Sequence, residues 1–337
     1  MPANATTQSI GIQSVGLIGA RGYVGLELLA LLESHPLLDL AYASSRALAG
    51  EPISKHAKAS FSGKSFEELS PSDIASENAD IVILALPDAA ADPFLEAIEA
   101  SETKPKLILD LSSDHRFTDD WTYGLSEHNR AQIVGASRIS NPGCYATAAQ
   151  IALRPILPLL AELPHCFGVS GYSGAGTKRT SRNDHRALHD DLLPYKLVNH
   201  THEREISRHL GTPVRFSPHV VSFFRGIALT VQAKLTNPID APTLSALYHD
   251  MYDSCELIKV LDDDMPRVRS IVNRDGALVG GFSINPERPD EIAVVCTIDN
   301  LRKGAATQAI QNINLALGFD EFIGLRPLTG PHAEPIE

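Results

Sequence analysis

The chain has 337 residues and a formal net charge of −12, with 43% hydrophobic and 21% charged residues, a balance that excludes disordered and fibrous classes and leaves room for two domains. The acidity argues against nucleic acid or an anionic membrane as partner, because the long-range field repels both. Four cysteines, Cys144, Cys166, Cys255 and Cys296, lack paired spacing and suggest neither a disulfide framework nor a zinc site. The opening MPANATTQSIGIQ has no basic and apolar leader pattern, so a cytoplasmic protein is expected.

An apolar run, SVGLIG at 14–19, meets Gly19, Gly22 and Gly25 and then the helical pattern YVGLELLALLESHP. Strand, glycine turn and helix in that order predict a dinucleotide site, with pyrophosphate on the backbone N–H groups at the helix start and Arg21, Tyr23 and Val24 around it. An ordinary tight turn has the same glycines. Where an NAD enzyme carries an acidic residue on the next strand, roughly 20 residues past the glycines, this chain has Ser44, Ser45 and Arg46. That trio favours NADP, since a guanidinium pairs with a 2′-phosphate that a carboxylate repels; Arg21 is a second candidate for the same role.

The runs ADIVILALP (79–87) and PKLILDLS (105–112) read as buried parallel strands, with helix-like FLEAIEAS between them. Ligands gather at the C-terminal ends of such strands, which places Pro87 near the cofactor and makes Arg116 a candidate for a substrate anion or for a surface ion pair. SNPGCYATA (140–148) then sets Cys144 behind a Pro-Gly turn at the start of an apolar helix. A helix N-terminus lowers a thiol pKa, which marks Cys144 as a nucleophile; a cysteine that merely packs fits the local pattern too.

Beyond Cys144 the texture changes to longer β-like segments, HCFGVSGYSGAG, PVRFSPHVVSFFRGIALTVQAKL and EIAVVCTID, which predict a second, mixed-sheet domain. The glycine-serine loop with Ser173, Gly174 and Gly176, followed by Lys178, Arg179 and Arg182, suits a phosphate or the nicotinamide end of a cofactor. In NHTHEREI (199–206), read as extended, His200 and His202 face one side; they serve acid/base chemistry near Cys144 or half a metal site with His219. His185 and His189 form another spaced pair, yet no ligand set is complete and no metal is expected. A helical pattern, KGAATQAIQNINLAL (303–317), returns to the first domain, and the tail LRPLTGPHAEPIE reads as irregular.

GLIGARGYVG, ASSRALAG, DLSSDHRF, SNPGCYATA, GVSGYSGAGTK, HTHEREI, PHVVSFFRGI and IDNLRKGAATQAIQNINLALG resemble, in order and across nearly the whole chain, the N-acetyl-gamma-glutamyl-phosphate reductase family. The chain departs from many of its members at His115 and Ala146. The resemblance implies an α/β fold with a Rossmann-type NADP domain and an α+β substrate and oligomerisation domain, similar in plan to aspartate-semialdehyde dehydrogenase. The expected division is 1–142 with 303–337 against 143–302, in a homodimer or homotetramer. It implies Cys144 as nucleophile, with His200 before His202 as acid/base, and adds Asn300 to the cofactor site. Arg116, Asn141, Lys178, Arg204, His219 and Arg225 are the residues expected around substrate and phosphate. The chemistry then runs through a Cys144 thioester that NADPH reduces to an aldehyde. Aspartyl phosphate or a carrier-bound aminoadipyl phosphate as substrate, a non-catalytic NADP-binding regulator and a metal-dependent hydrolase are the alternatives.

Overall fold

The computed structural model describes residues 11–329, so the first ten residues and most of the proline-rich tail lie outside the described part. The first sheet holds β1 (Gln13–Ile18), β2 (Leu38–Ser44), β3 (Ile81–Leu84), β4 (Leu107–Asp110), β5 (Thr122–Tyr123) and β6 (Arg138–Ser140) in the order β2-β1-β3-β4-β6-β5. All of its pairings are parallel. The helices of this half are α1 (Tyr23–Ser34), α2 (Pro71–Ile74), α3 (Asp92–Ala100) and α4 (Ser126–Ile133).

Strand alternation assigns each face of this sheet its own core. Val15, Leu17, Ile81, Ile83, Leu107 and Leu109 pack with Leu28, Leu29 and Leu32 of α1, while Ile18, Val82, Leu84 and Ile108 pack with Leu95 and Ile98 of α3. Both faces are covered, which is why these strands read as unbroken apolar runs. Chain order reverses at β1, between β2 and β3, the point at which open parallel sheets bind ligands at the C-terminal strand ends.

The second half begins with α5 (Cys144–Leu153) and continues through β7 (His165–Gly171), β8 (Leu192–Pro194), α6 (Thr201–Leu210), β9 (Arg215–Val221), β10 (Ile227–Lys234), α7 (Ala241–Tyr252), β11 (Ile258–Leu261), α8 (Val268–Ile271), β12 (Ala277–Ile284) and β13 (Glu291–Ile298). These seven strands form a mixed sheet in the order β11-β12-β13-β10-β7-β9-β8. Every residue of α5 after Cys144 is buried, as expected of a helix apolar all round. It packs with Ile227, Leu229, Val231, Val294, Cys296 and Ile298 on one face of the sheet. The opposite face carries half-buried or exposed residues such as Phe167, Val169, Thr230 and His219, with no layer over it among the described residues.

A π-helical turn, Arg302–Ala306, and α9 (Thr307–Ala316) bring the chain back. Ala309, Ile310 and Ile313 of α9 join the core of α1 and the first sheet. The turn also touches the second half: a Cβ on Gly304 would lie 2.7 Å from the Cβ of Cys144.

One local expectation is overturned. NHTHEREI is a helix start rather than an extended segment: His200 is the N-cap of α6 and its Nδ1 accepts a hydrogen bond from the backbone N–H of His202 at 3.0 Å. Glu203 in the first turn accepts from the Asn199 N–H at 3.1 Å, and left-handed Gly211 ends the helix.

Candidate active site

Cys144 is the first residue of α5, after Gly143 in an extended N-cap conformation without a side-chain cap. It opens into a cleft bounded by Tyr145, Ser170, Gly171, Gly174, Arg182, Tyr195 and His202. Burial pushes the Cys144 thiol up to about 11, against the pull of the Tyr145 N–H and the Arg116 guanidinium. The expectation of a thiol lowered by its helix start therefore fails in this ligand-free cleft, because desolvation outweighs the dipole.

A buried polar cluster fixes the backbone before Cys144. Glu205, fully buried on α6, accepts hydrogen bonds from the Gly143 N–H at 2.8 Å, from the Tyr123 hydroxyl at 2.8 Å and from Arg116 Nη1 at 3.1 Å. Arg116 uses its other nitrogens on the carbonyls of Asn141 and Leu111, both at 2.8 Å. Burial works against the Arg116 charge, yet Glu205 holds its pKa above the ordinary value. Gly143 has to be glycine: a Cβ there would run into His202 Nε2 and lie 2.6 Å from Arg116 Nη1.

The two histidines are placed differently. His202 lines the cleft with Cys144, and its Nδ1 is buried without a partner; burial and then Arg116 hold its pKa down to about 3. His200 sits behind it, 5.0 Å ring to ring, packed on Tyr195 and Phe216 with its Nδ1 committed to capping α6. Burial and then His202 hold His200 down to about 3.

Of the anion-binding candidates, only Arg116 and Asn141 lie beside the nucleophile, and both are engaged by protein. Asn141 donates to the Ala305 carbonyl and accepts from Asn312 at 3.2 and 3.0 Å. The other four are not brought to the cleft. Arg225 pairs with Glu27 at 2.7 Å and Asp299 at 2.6 Å and reaches Asn273, tying α1 to the second sheet. Arg204 stacks on Phe117 at the surface, and Lys178 sits exposed on the loop after β7. His219 points to the open face of the second sheet, 4.4 Å from the Phe167 ring, since strand alternation turns its neighbour Val220 into the cleft. His115, a departure from the family pattern, pairs with buried Asp110 at 2.7 Å and stacks on Trp121; Ala146 is buried in α5. His185 and His189 are exposed, and no group of three metal-ligating side chains occurs among the described residues.

The glycine turn between β1 and α1 fits a dinucleotide. Gly19 has φ +84° and a Cβ on it would strike the Ala85 carbonyl; Gly22 is the extended N-cap of α1 without a side-chain cap, and Gly25 lets α1 pack on Ala20. Arg21 and Pro87 are exposed at the rim, Tyr23 meets Phe224 edge-on at 5.1 Å, and half-buried Val24 packs on the first core. Ser44 and Ser45 are buried at the end of β2; the Ser45 hydroxyl has no partner among the described residues, and exposed Arg46 follows it. An orphaned hydroxyl next to a free guanidinium matches a 2′-phosphate. On the other wall, the turn Tyr172–Ala175 presents Gly174 to the cleft, with Gly176 at φ +75° beyond it. Ser173 is buried beneath, accepting from Asn300 Nδ2 at 2.9 Å, while Asn300 Oδ1 accepts from the Gly226 N–H at 2.6 Å. Asn300 thus holds the wall instead of facing the cleft.

Sequence reasoning missed Glu205 and Tyr195. Glu205 lies three residues after His202 on one face of α6, a spacing that flags it; nothing local flags Tyr195.

A glycine turn on a parallel sheet together with a cysteine cleft at the start of a mixed-sheet half defines a dehydrogenase of the semialdehyde dehydrogenase class. Residues 14–136 match the semialdehyde dehydrogenase NAD-binding domain and residues 144–300 the semialdehyde dehydrogenase dimerisation domain. Among solved structures, aspartate semialdehyde dehydrogenase II from Vibrio cholerae superposes with a TM-score of 0.75 at 20% identity, covering 91% of this chain and 98% of that one. The aspartate semialdehyde dehydrogenase of Candida albicans, solved with NADP, does so with a TM-score of 0.66 at 16% identity over 91% and 99%. An N-acetyl-gamma-glutamyl-phosphate reductase of Xanthomonas oryzae pv. oryzae is 48% identical over 93% of this chain and 98% of its own length, and that of Xylella fastidiosa 46% over 96% and 98%. The chain belongs to the N-acetyl-gamma-glutamyl-phosphate reductase family. No helix among the described residues is long and apolar enough to cross a membrane.

Proposed function

We propose that this chain reduces N-acetyl-L-glutamyl 5-phosphate to N-acetyl-L-glutamate 5-semialdehyde and phosphate with NADPH, through a Cys144 thioester, in arginine biosynthesis. The observation that carries the reading is the thiol of Cys144 at the start of α5, in a cleft that His202 also lines.

His202, neutral in the ligand-free cleft, takes the thiol proton once the anionic substrate enters and offsets the cost of charging a buried imidazole. The N–H groups of Cys144 and Tyr145, both directed at Sγ, favour the thiolate that attacks the acyl carbon. The C–O bond to phosphate breaks as the thioester forms, and His202 returns its proton to the departing phosphate beside Arg116. NADPH, when bound, supplies the hydride that makes the thioester carbon an aldehyde carbon. Collapse of the thiohemiacetal oxyanion releases the aldehyde and the Cys144 thiolate, which a solvent proton neutralises. His200 positions His202 by capping α6, and this reading gives acid/base work to His202 ahead of His200.

The Ser44–Ser45–Arg46 trio supports NADPH over NADH. In this reading the division is 1–142 with 303–337 against 143–302, α9 lying in the returning segment. The open face of the second sheet, with Phe167 and Val169 half-buried or exposed, pairs with a second copy, as the dimerisation domain of the family suggests. Four unpaired cysteines suit a cytoplasmic setting.

The test is phosphate-dependent reduction of NADP⁺ with N-acetylglutamate semialdehyde and, in parallel, aspartate semialdehyde, with Cys144→Ser as control. Activity on the first aldehyde alone, lost in the variant with NADPH affinity kept, is the expected result. Activity on the second alone reassigns the substrate, and substantial turnover by Cys144→Ser overturns the thioester route.

A further inference from the structure

The cleft above Cys144 is lined by one cation, Arg182. Its guanidinium lies 5.0 Å from the centroid of the Tyr195 ring, and no carboxylate among the described residues pairs with it. The other arginines near the site are spent: Arg116 on Glu205 and two carbonyls, Arg225 on Glu27, Asp299 and Asn273. An anion entering the cleft therefore meets one guanidinium that has a shelf, an orientation and no partner. Tyr195 is held in turn by ring packing on His200 at 5.6 Å, so the shelf is tied to the start of α6.

We propose that Arg182, stacked on Tyr195, is the specificity-determining residue that takes the substrate's remote α-carboxylate. The inference rests on the acyl-phosphate reading above. Geometry decides between the two anionic ends of such a substrate. The phosphoryl group is bonded to the oxygen on the carbon that Sγ attacks, so it must lie by the nucleophile, where Arg116 flanks Gly143. The α-carboxylate is four carbon–carbon bonds away, about 5 Å in an extended chain, which carries it toward the exposed mouth where Arg182 stands. A planar guanidinium on an aromatic face presents a fixed bidentate fork to a carboxylate, which lysine cannot reproduce. In a chain of net charge −12, such a local cation also recruits an anionic substrate against the overall field.

Two measurements test this. In the reverse reaction, Arg182→Gln raises KM for N-acetylglutamate semialdehyde about tenfold or more, with KM for phosphate and kcat nearly unchanged, and Arg182→Lys falls between. A rise in the phosphate KM with the aldehyde KM unchanged overturns the assignment. The second measurement needs no assumption about the natural substrate. In 5-bromo-4-oxopentanoate, Sγ displaces bromide from a carbon four bonds from the carboxylate carbon, and the corresponding amide is its neutral control. Mass spectrometry follows Cys144 labelling by each. The wild type prefers the acid, and Arg182→Gln loses that preference while its rate with the amide is kept. A wild type without preference, or a variant that keeps it, overturns the inference. A preference that depends on Arg182 in a protein inert toward N-acetylglutamate semialdehyde sinks the substrate reading and leaves the carboxylate site standing.

Discussion

Replacing Glu205 by Gln separates the structural and electrostatic parts of the site. The amide keeps the shape and an acceptor for the Gly143 N–H and the Tyr123 hydroxyl, which Glu205 Oε1 serves at 2.8 Å each. What it removes is the charge opposite Arg116, leaving a buried guanidinium unpaired at a cost of about 3–5 kcal/mol in unfolding free energy. The same change acts on the nucleophile in the opposite sense. Burial holds the Cys144 thiol up to about 11, the Tyr145 N–H and Arg116 pull it down, and Glu205 adds to the upward push. With Glu205 neutral, Arg116 acts unopposed and the thiol pKa falls. Urea unfolding measures the first effect; the pH midpoint of iodoacetamide labelling of Cys144, read by mass spectrometry on folded protein, measures the second. The expected variant is less stable and has a lower labelling midpoint. A midpoint that stays or rises in a folded Glu205→Gln variant refutes the charge balance described here.

Gly143→Ala forces a Cβ against His202 Nε2 and Arg116 Nη1, and should lower kcat by about 100-fold while NADPH affinity, read by fluorescence titration, stays within a factor of two. Arg46→Gln should weaken NADPH by about tenfold or more and leave NADH unchanged in calorimetric titrations, since the 2′-phosphate alone distinguishes them; equal losses for both would remove Arg46 from that role. Stability should fall with acid because His200 and His202 are both held down to about 3, below an unfolded value near 6.5. The unfolded chain then binds protons that the folded one refuses, so stability is full above about pH 6.5 and declines toward pH 3, by about 2 kcal/mol per histidine at pH 5. Urea titrations at the two ends of that window measure it, and His200→Asn, which keeps a cap acceptor, should remove part of the slope.

The first sheet was legible because both of its faces are covered, so each strand is a continuous apolar run and the glycine turn falls between a strand and a helix that announce themselves. The start of α6 was not. His-x-His alternation reads as extended, and only the role of His200 Nδ1 as a cap acceptor reveals a helix. The anion ligands were hardest to choose, since sequence shows a charge but not its partner. Arg225 looks free until Glu27, nearly two hundred residues earlier, closes on it. Arg204 likewise looks free until Phe117 packs beneath it. Arg182 was named with its loop and could be singled out only once the other arginines near the site were accounted for.

The raised thiol of Cys144 also argues about how the nucleophile survives. A helix N-terminus contributes about 0.3–1 kcal/mol, less than one pH unit at 1.36 kcal/mol each, and desolvation of the thiol exceeds it. An exposed, low-pKa cysteine gives its thiolate to any oxidant, whereas a half-buried thiol held near 11 remains protonated at neutral pH and reacts poorly. In the proposed mechanism, activation is deferred to the moment when substrate brings its own anionic charge beside His202. In that mechanism the substrate's charge stabilises the imidazolium, and the proton leaves Sγ for a base that was neutral until then. A cleft built this way trades a standing thiolate for one formed on demand, which suits an enzyme whose thioester must meet hydride before water.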